Sequence, residues 1–273
     1  MFFFVFSNVH AEVKIFNMVF VPASEKGDES DYTSLILIIE KLTGFEINTV
    51  KVTDYNAAVE SMRAGRADIA WYGGKTYIKA AEIAYAEAFA AGVRPGEKNA
   101  NYFTYFVVKN DSEIKKFSDI KGKILSLNSI GSTSGDLIPQ VELAKINLST
   151  TNKDHFEEVF YAGSHDACLL AVLNNHSNVC GMSSRNFEAR LADNTFKMEQ
   201  VRIIHKSDPV PPPPLAYSKK ILLEDRKKIK KAVLEAHNHG EIGGYGGKMS
   251  HYISVKDSDY DVLRKVVELL KNK

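Results

Sequence analysis

Short apolar runs alternate with helix-period repeats along most of this chain, and that alternation restricts the fold to an α/β architecture with largely parallel sheets. Residues 13–20 read as a strand. After them Tyr32, Leu35, Ile36, Ile39 and Leu42 recur at helical spacing up to a stop at Gly44. A second strand is predicted over 47–52, then an amphipathic helix marked by Tyr55, Ala58, Val59 and Met62, then a short strand over 68–71 running into Tyr72-Gly73-Gly74. Strands are also predicted over 103–109, 123–127, 156–162 and 201–204, and helices over 167–173, 224–238 and 259–270. A glycine-rich loop is expected between 240 and 247.

The four prolines 211–214 cannot continue a helix or a central strand, so they predict a stiff extended connector. With a second crossing at 99–102, they divide the 273 residues into two lobes. One is expected to combine 12–101 with 213–273, the other to be continuous over 102–212. Ligands in such folds sit beyond the carboxyl ends of the parallel strands, which here would be the gap between the lobes.

A formal net charge of +1 argues against a nucleic-acid partner, which needs a basic excess to neutralise phosphates. Residues 1–11 are apolar and end in Val9-His10-Ala11, as the tail of a signal peptide does, with Glu12 the expected mature start. That predicts export. Cys168 and Cys180 can pair in an exported chain, although cysteines in apolar surroundings are more often small buried side chains. No metal-ligand spacing occurs, so neither a metal nor a cofactor is expected.

The chemistry concentrates at strand ends. Residues 128–139 pass from a strand through Gly131, Ser132, Thr133, Ser134 and Gly135 into a helix, gathering hydroxyls and free amides at the positive end of a helix dipole. Serine and threonine are also ordinary caps. No lysine completes a Walker A loop, and Thr133 stands where a hydrolase elbow needs its serine, so no catalytic residue is expected. His165, in Gly163-Ser164-His165-Asp166, could donate to the same anion or be satisfied within its own loop. Tyr72 and Tyr102 each read as a phenol donor or as packing.

These motifs in this order carry a resemblance. The stretch 55–63 followed by Asp68-Ile69-Ala70-Trp71-Tyr72-Gly73, then 132–139, then 162–167, then Tyr245 through Arg264, resembles the phosphate/phosphite/phosphonate-binding (PhnD-like) family of ABC-transporter proteins. The resemblance implies a type II periplasmic binding fold, two lobes on two hinge strands, holding a small oxyanion on Ser132, Thr133, Ser134, His165, Tyr72 and Tyr102, with Ser24 as a looser match. It also implies a periplasmic monomer that delivers its anion to an ABC permease and ATPase, or presents it to a membrane sensor kinase. Where members that bind aminoalkyl phosphonates place carboxylates, this chain has Arg185 and the segment 212–214. An ammonium group would be repelled by Arg185, so 2-aminoethylphosphonate is not the expected ligand. Arg185 itself reads either as a contact for a second negative group or, more simply, as a solvated charge.

Overall fold

The computed structural model describes residues 13–25 and 28–271; the apolar stretch 1–11 lies outside them. The chain begins with β1 (Ile15–Phe20), α1 (Asp28–Thr43), β2 (Glu46–Val50), α2 (Tyr55–Arg63), β3 (Ile69–Trp71), α3 (Gly74–Ile83) and β4 (Ala86–Val93). It crosses to a second unit of β5 (Thr104–Lys109), β6 (Ile124–Leu127), α4 (Ile138–Lys145), β7 (Glu158–Tyr161), α5 (His165–Leu173), β8 (Val179–Ser183), α6 (Ser184–Ala192) and β9 (Val201–Lys206). It then returns through β10 (Leu215–Ser218), α7 (Leu223–Glu235), β11 (Ile242–Gly244), β12 (Gly247–Met249), β13 (His251–Ser254) and α8 (Asp261–Lys271).

The first sheet runs β13-β4-β10-β3-β1-β2 and the second β7-β6-β8-β5-β9. Each keeps three parallel strands, β2-β1-β3 and β7-β6-β8, while the remaining strands join antiparallel. The sheets are therefore mixed rather than largely parallel, because strands that follow a crossing between sheets re-enter in the opposite sense. The carboxyl ends of β3, β6, β7 and β8 lead into the segments that carry the candidate chemistry.

Strand periodicity explains the packing of the second sheet. Phe106 and Val108 of β5 join the apolar cluster on one face with Leu125, Leu127 and Leu143, while Val107 between them joins Cys168, Leu169, Val172 and Cys180 on the other. On that second face Cys168 of α5 and Cys180 of β8 are both buried and disulfide-bonded, their Cα atoms 5.6 Å apart. Of the two alternatives left open for these cysteines, the structure has the pair, and both side chains are buried as well. The bond ties the helix behind His165 to its sheet. Closing a loop of this size is worth about 2–4 kcal/mol, so Cys168→Ala/Cys180→Ala is expected to lower the denaturant midpoint markedly. An unchanged midpoint in non-reducing buffer would mean that the thiols are not joined in solution.

The two crossings pair with each other. Tyr102 and Val210 exchange backbone hydrogen bonds of 3.2 and 2.8 Å, and the proline segment that follows is held at its carbonyls, Pro212 by the Tyr260 hydroxyl (3.0 Å) and Pro214 by the Tyr72 amide (3.1 Å). Proline has no amide hydrogen to donate, so the proline segment can be held only through its carbonyl oxygens. The expected glycine-rich loop is instead a hairpin, β11 and β12 pairing from Ile242↔Met249 to Gly244↔Gly247. Its tip presents Tyr245 towards the other sheet, and a Cβ at Gly246, whose φ is +79°, would approach the Arg185 Cβ to 3.1 Å.

Candidate functional site

After β6 the chain turns at Gly131 and enters a turn of π-helix, Thr133–Leu137, that continues into α4. Ser132 is the cap: its backbone is extended and its Oγ accepts from the Gly135 amide at 3.1 Å. A helix start leaves its first amides without an intrahelical acceptor, and here the residues carrying them, Thr133 and Ser134, are 2% exposed. Gly135 is required by packing, since a Cβ there would stand 2.3 Å from Asn128 Cβ and 2.9 Å from His165 Cε1. The helix start and the histidine therefore touch.

His165 opens α5 behind Ser164, whose Oγ caps the Ala167 amide at 3.0 Å. The Ser183 amide donates to His165 Nδ1 at 3.2 Å, which fixes the tautomer and leaves the proton on Nε2. Burial lowers the imidazole pKa to about 3. At neutral pH the ring is an uncharged donor. Tyr102 lies on the other side of the helix start, its pKa pushed up to about 12 by burial against the opposing effects of hydrogen bonds from Ser134 and Thr133 and of the Arg185 charge.

These groups meet at a cavity of about 10 Å³, lined on the polar side by Ser132, Thr133, Ser134, His165, Tyr102 and Tyr55, and elsewhere by Val21, Trp71, Gly73, Pro213 and Tyr245. Tyr55, which sequence patterning assigns to the apolar face of α2, reaches the cavity because Asp54 caps that helix through the Ala57 amide (2.9 Å) and sets Tyr55 at its first position. Its hydroxyl oxygen accepts from Asn128 Nδ2 at 3.2 Å. Trp71 packs against Tyr245 with ring centroids 4.6 Å apart and planes tilted by 39°, and the Tyr245 hydroxyl donates to Asn186 Oδ1 across the gap. A tyrosine at a helix start is the only local signal that could have flagged Tyr55. Tyr245 carried none, since the hairpin that presents it is a tertiary feature.

Three expected contacts lie elsewhere. Tyr72 is wholly buried and its hydroxyl donates to the Ala58 carbonyl at 3.3 Å, because the residue after β3 that faces the cavity is Gly73 and the tyrosine turns under α2. Ser24 borders a separate groove with Pro22 and Lys51; its neighbour Ala23 instead meets the site, accepting from the His165 amide at 3.1 Å. Arg185 is neither solvated nor on the cavity wall. It is 2% exposed and reaches from α6 to the first lobe, donating through Nη2 to the carbonyls of Gly92 (3.2 Å) and Ala100 (2.8 Å), with Glu97 3.5 Å away. Burial lowers the pKa of its guanidinium.

The helix start also binds α3 directly. Thr133 Oγ1 accepts from the Lys75 amide (2.9 Å), Thr76 Oγ1 donates to the Gly131 carbonyl (2.9 Å), and the Lys75 ammonium pairs with the buried Asp136 carboxylate. Asp136 also accepts from the Gly131 amide (3.1 Å) and the Tyr161 hydroxyl (2.8 Å). The contacts from Lys75 and Thr76 to Thr133, Gly131 and Asp136 join one lobe to the other beside the cavity, so they belong to a closed arrangement. Among the described residues no cluster of side chains could hold a metal ion, and no helix is long and apolar enough to cross a membrane.

Comparison with known proteins agrees with this geometry. The phosphonates-binding periplasmic protein of Escherichia coli is 28% identical over 211 residues, covering 76% of this chain and 61% of that one. The phosphate-import protein PhnD of Mycolicibacterium smegmatis is 26% identical over 268 residues, covering 91% and 84%. Among solved structures, a binding protein component of an ABC phosphonate transporter from Pseudomonas aeruginosa superposes with a TM-score of 0.82 at 22% identity, covering 96% of this chain and 87% of the other. PhnD1 of Prochlorococcus marinus in complex with methylphosphonate gives 0.81 at 18% identity, covering 95% and 99%. These likenesses establish the two-lobed periplasmic-binding fold. Residues 18–260 match the sequence model of a family described as the periplasmic substrate-binding protein of the phosphonate ABC transporter, and with cap, histidine and crossing strands in the expected order, the chain belongs to that family.

Proposed function

We propose that this protein is the solute-binding component of an ABC importer and captures a small phosphorus oxyanion, a phosphate, phosphite or short phosphonate, between its lobes. The observation that carries the reading is the neutral donor set at one point: the Thr133 and Ser134 helix start, His165 with its proton on Nε2, and the Tyr102 and Tyr55 phenols, all bordering one cavity. Hydrogen bonds to a charged acceptor contribute roughly 1.5–3 kcal/mol each, so four or five suffice for micromolar or tighter binding after association costs. The relatives named above bind or import phosphonate, phosphate and methylphosphonate, which supports the same ligand class here.

The lobes divide at 12–101 plus 213–273 and 102–212, and the molecule works as a periplasmic monomer. A cavity of about 10 Å³ has room for about one water molecule, so a tetrahedral anion enters only when the lobes part at the paired segments around Tyr102 and Val210. Reclosure restores the Lys75–Asp136 and Arg185 contacts, and the closed shape is what the permease and its ATPase recognise. His165 Nδ1 accepts from the Ser183 amide, so the imidazole's acceptor nitrogen is taken by a structural bond, and the function is binding alone. A sensor role with a histidine kinase would use the same site and the same closure.

A thermal-shift screen tests the ligand class. Phosphite, phosphate, methylphosphonate and arsenate are compared, and a true ligand raises the melting temperature with concentration as RT ln(1 + [L]/Kd). 2-Aminoethylphosphonate is expected to give no rise at matched concentration, because no carboxylate lines the cavity to receive its ammonium group. A shift from that compound equal to the best anion would contradict the reading of the cavity wall, and silence from every phosphorus oxyanion would remove the proposed function.

A further inference from the structure

The side chains and carbonyls around the cavity are supplied with donors to a degree that bears on which protonation state of a ligand they accept. Ser132 Oγ accepts from the Gly135 amide (3.1 Å) and Asn128 Nδ2 (3.2 Å), Thr133 Oγ1 from the Lys75 amide (2.9 Å), and His165 Nδ1 from the Ser183 amide (3.2 Å). The Tyr55 oxygen accepts from Asn128 as well. The nearby carbonyls are engaged in the same way: Val21 by the Ala23 amide (2.9 Å), Gly73 by the Tyr77 amide (2.8 Å), Tyr102 by the Val210 amide (2.8 Å), and Ser134 by the Thr104 hydroxyl (2.9 Å). Trp71 adds an indole N–H, a donor only, which is buried and meets no acceptor among the described residues.

The carboxylates near the site do not line the cavity. Asp136 takes Lys75, Gly131, Gln140 and Tyr161, and Asp166 takes the Glu25 amide at 3.0 Å. The wall thus offers hydrogens to a ligand and has no carboxylate to receive one.

Building on the proposed function, we propose that the site selects its anion by protonation state: it takes the fully ionised form that carries no O–H group, the dianion of phosphite or of an alkylphosphonate, and disfavours any form that must donate a proton. A ligand hydroxyl buried here without an acceptor lowers affinity roughly 5- to 150-fold, and a fully ionised oxygen makes the stronger charge-assisted bonds. Hydrogenphosphate keeps one hydroxyl at neutral pH, so phosphate falls behind phosphite on the same ground. His165 and Tyr102 do not supply a competing titration. His165 is neutral down to about pH 3, Tyr102 stays protonated up to about pH 12, and the charges standing behind them are Arg185, the Lys75–Asp136 pair and Asp166.

Calorimetric titration of the intact protein with phosphite, methylphosphonate and phosphate between pH 5.5 and 8.5 tests this. Below each ligand's own second pKa the affinity is expected to fall tenfold per pH unit, and the break for phosphite and the break for methylphosphonate should be displaced from each other by the difference between those ligand pKa values. Phosphate at pH 8 should bind at least tenfold more weakly than phosphite. A break at one common pH for both ligands, a pH-independent Kd, or phosphate equal to phosphite would overturn the inference while leaving the oxyanion reading standing. Absence of binding by all three at every pH would overturn both.

Discussion

Thr133→Val combined with Ser134→Ala is expected to lower phosphite affinity by about 10²- to 10⁴-fold, since two hydroxyl donors to a charged acceptor are worth roughly 3–6 kcal/mol together. The pair is chosen to spare Ser132, whose Oγ caps the Gly135 amide and whose loss would cost about 1 kcal/mol of stability on its own. The Lys75 amide loses its Thr133 acceptor, but only in the closed form, where that bond crosses between lobes. The ligand-free variant should therefore melt close to the parent protein while its ligand-induced shift disappears. Calorimetry reads the affinity and a melting curve without ligand reads the fold. A variant that still binds within fivefold of the parent would move the anion off this helix start.

Arg185→Met should weaken the same ligand by about 30- to 150-fold through a residue that does not border the cavity, the loss of a charge-assisted link worth roughly 2–3 kcal/mol. The guanidinium donates from α6 to the Gly92 and Ala100 carbonyls with Glu97 beside it. These acceptors are left without their donor only when the lobes are shut, because water reaches them when the lobes part. The variant thus shifts the balance towards the open form, and ligand affinity falls by the fraction of closure lost. Small-angle scattering distinguishes this from a direct contact: with saturating phosphite the parent should contract, and Arg185→Met should need proportionally more ligand to reach the same contracted state. Unchanged affinity would mean that Arg185 is a structural charge with no part in closure.

What could be read from the residues alone follows the range of the forces involved. Strand ends that feed serine, threonine or histidine into a helix are local grammar, so Ser132 to Ser134 and His165 were legible and the structure brings them to one cavity. β4 was not legible, because its sequence Ala-Glu-Ala-Phe-Ala-Ala-Gly-Val has little of the β-branched signal of an ordinary strand. Small residues are required there by β13 and its neighbours, a Cβ at Gly92 standing only 2.7 Å from Met249 Sδ. Arg185 sits in Ser-Arg-Asn-Phe-Glu-Ala-Arg, where it reads most simply as a solvated charge, and its burial comes from the other lobe. Tyr72 was misassigned for the converse reason: a tyrosine beside two glycines reads as a cleft residue until the chain direction at Gly73 is known.

An oxyanion held by neutral donors must sit where the π-helical turn Thr133–Leu137 begins. The direct measurement is a crystal structure grown with phosphite. The anion is expected between the lobes, its oxygens about 2.7–2.9 Å from the Thr133 and Ser134 donors and from His165 Nε2. Phosphite seated anywhere else on the protein, with that helix start facing only its own chain, would contradict it.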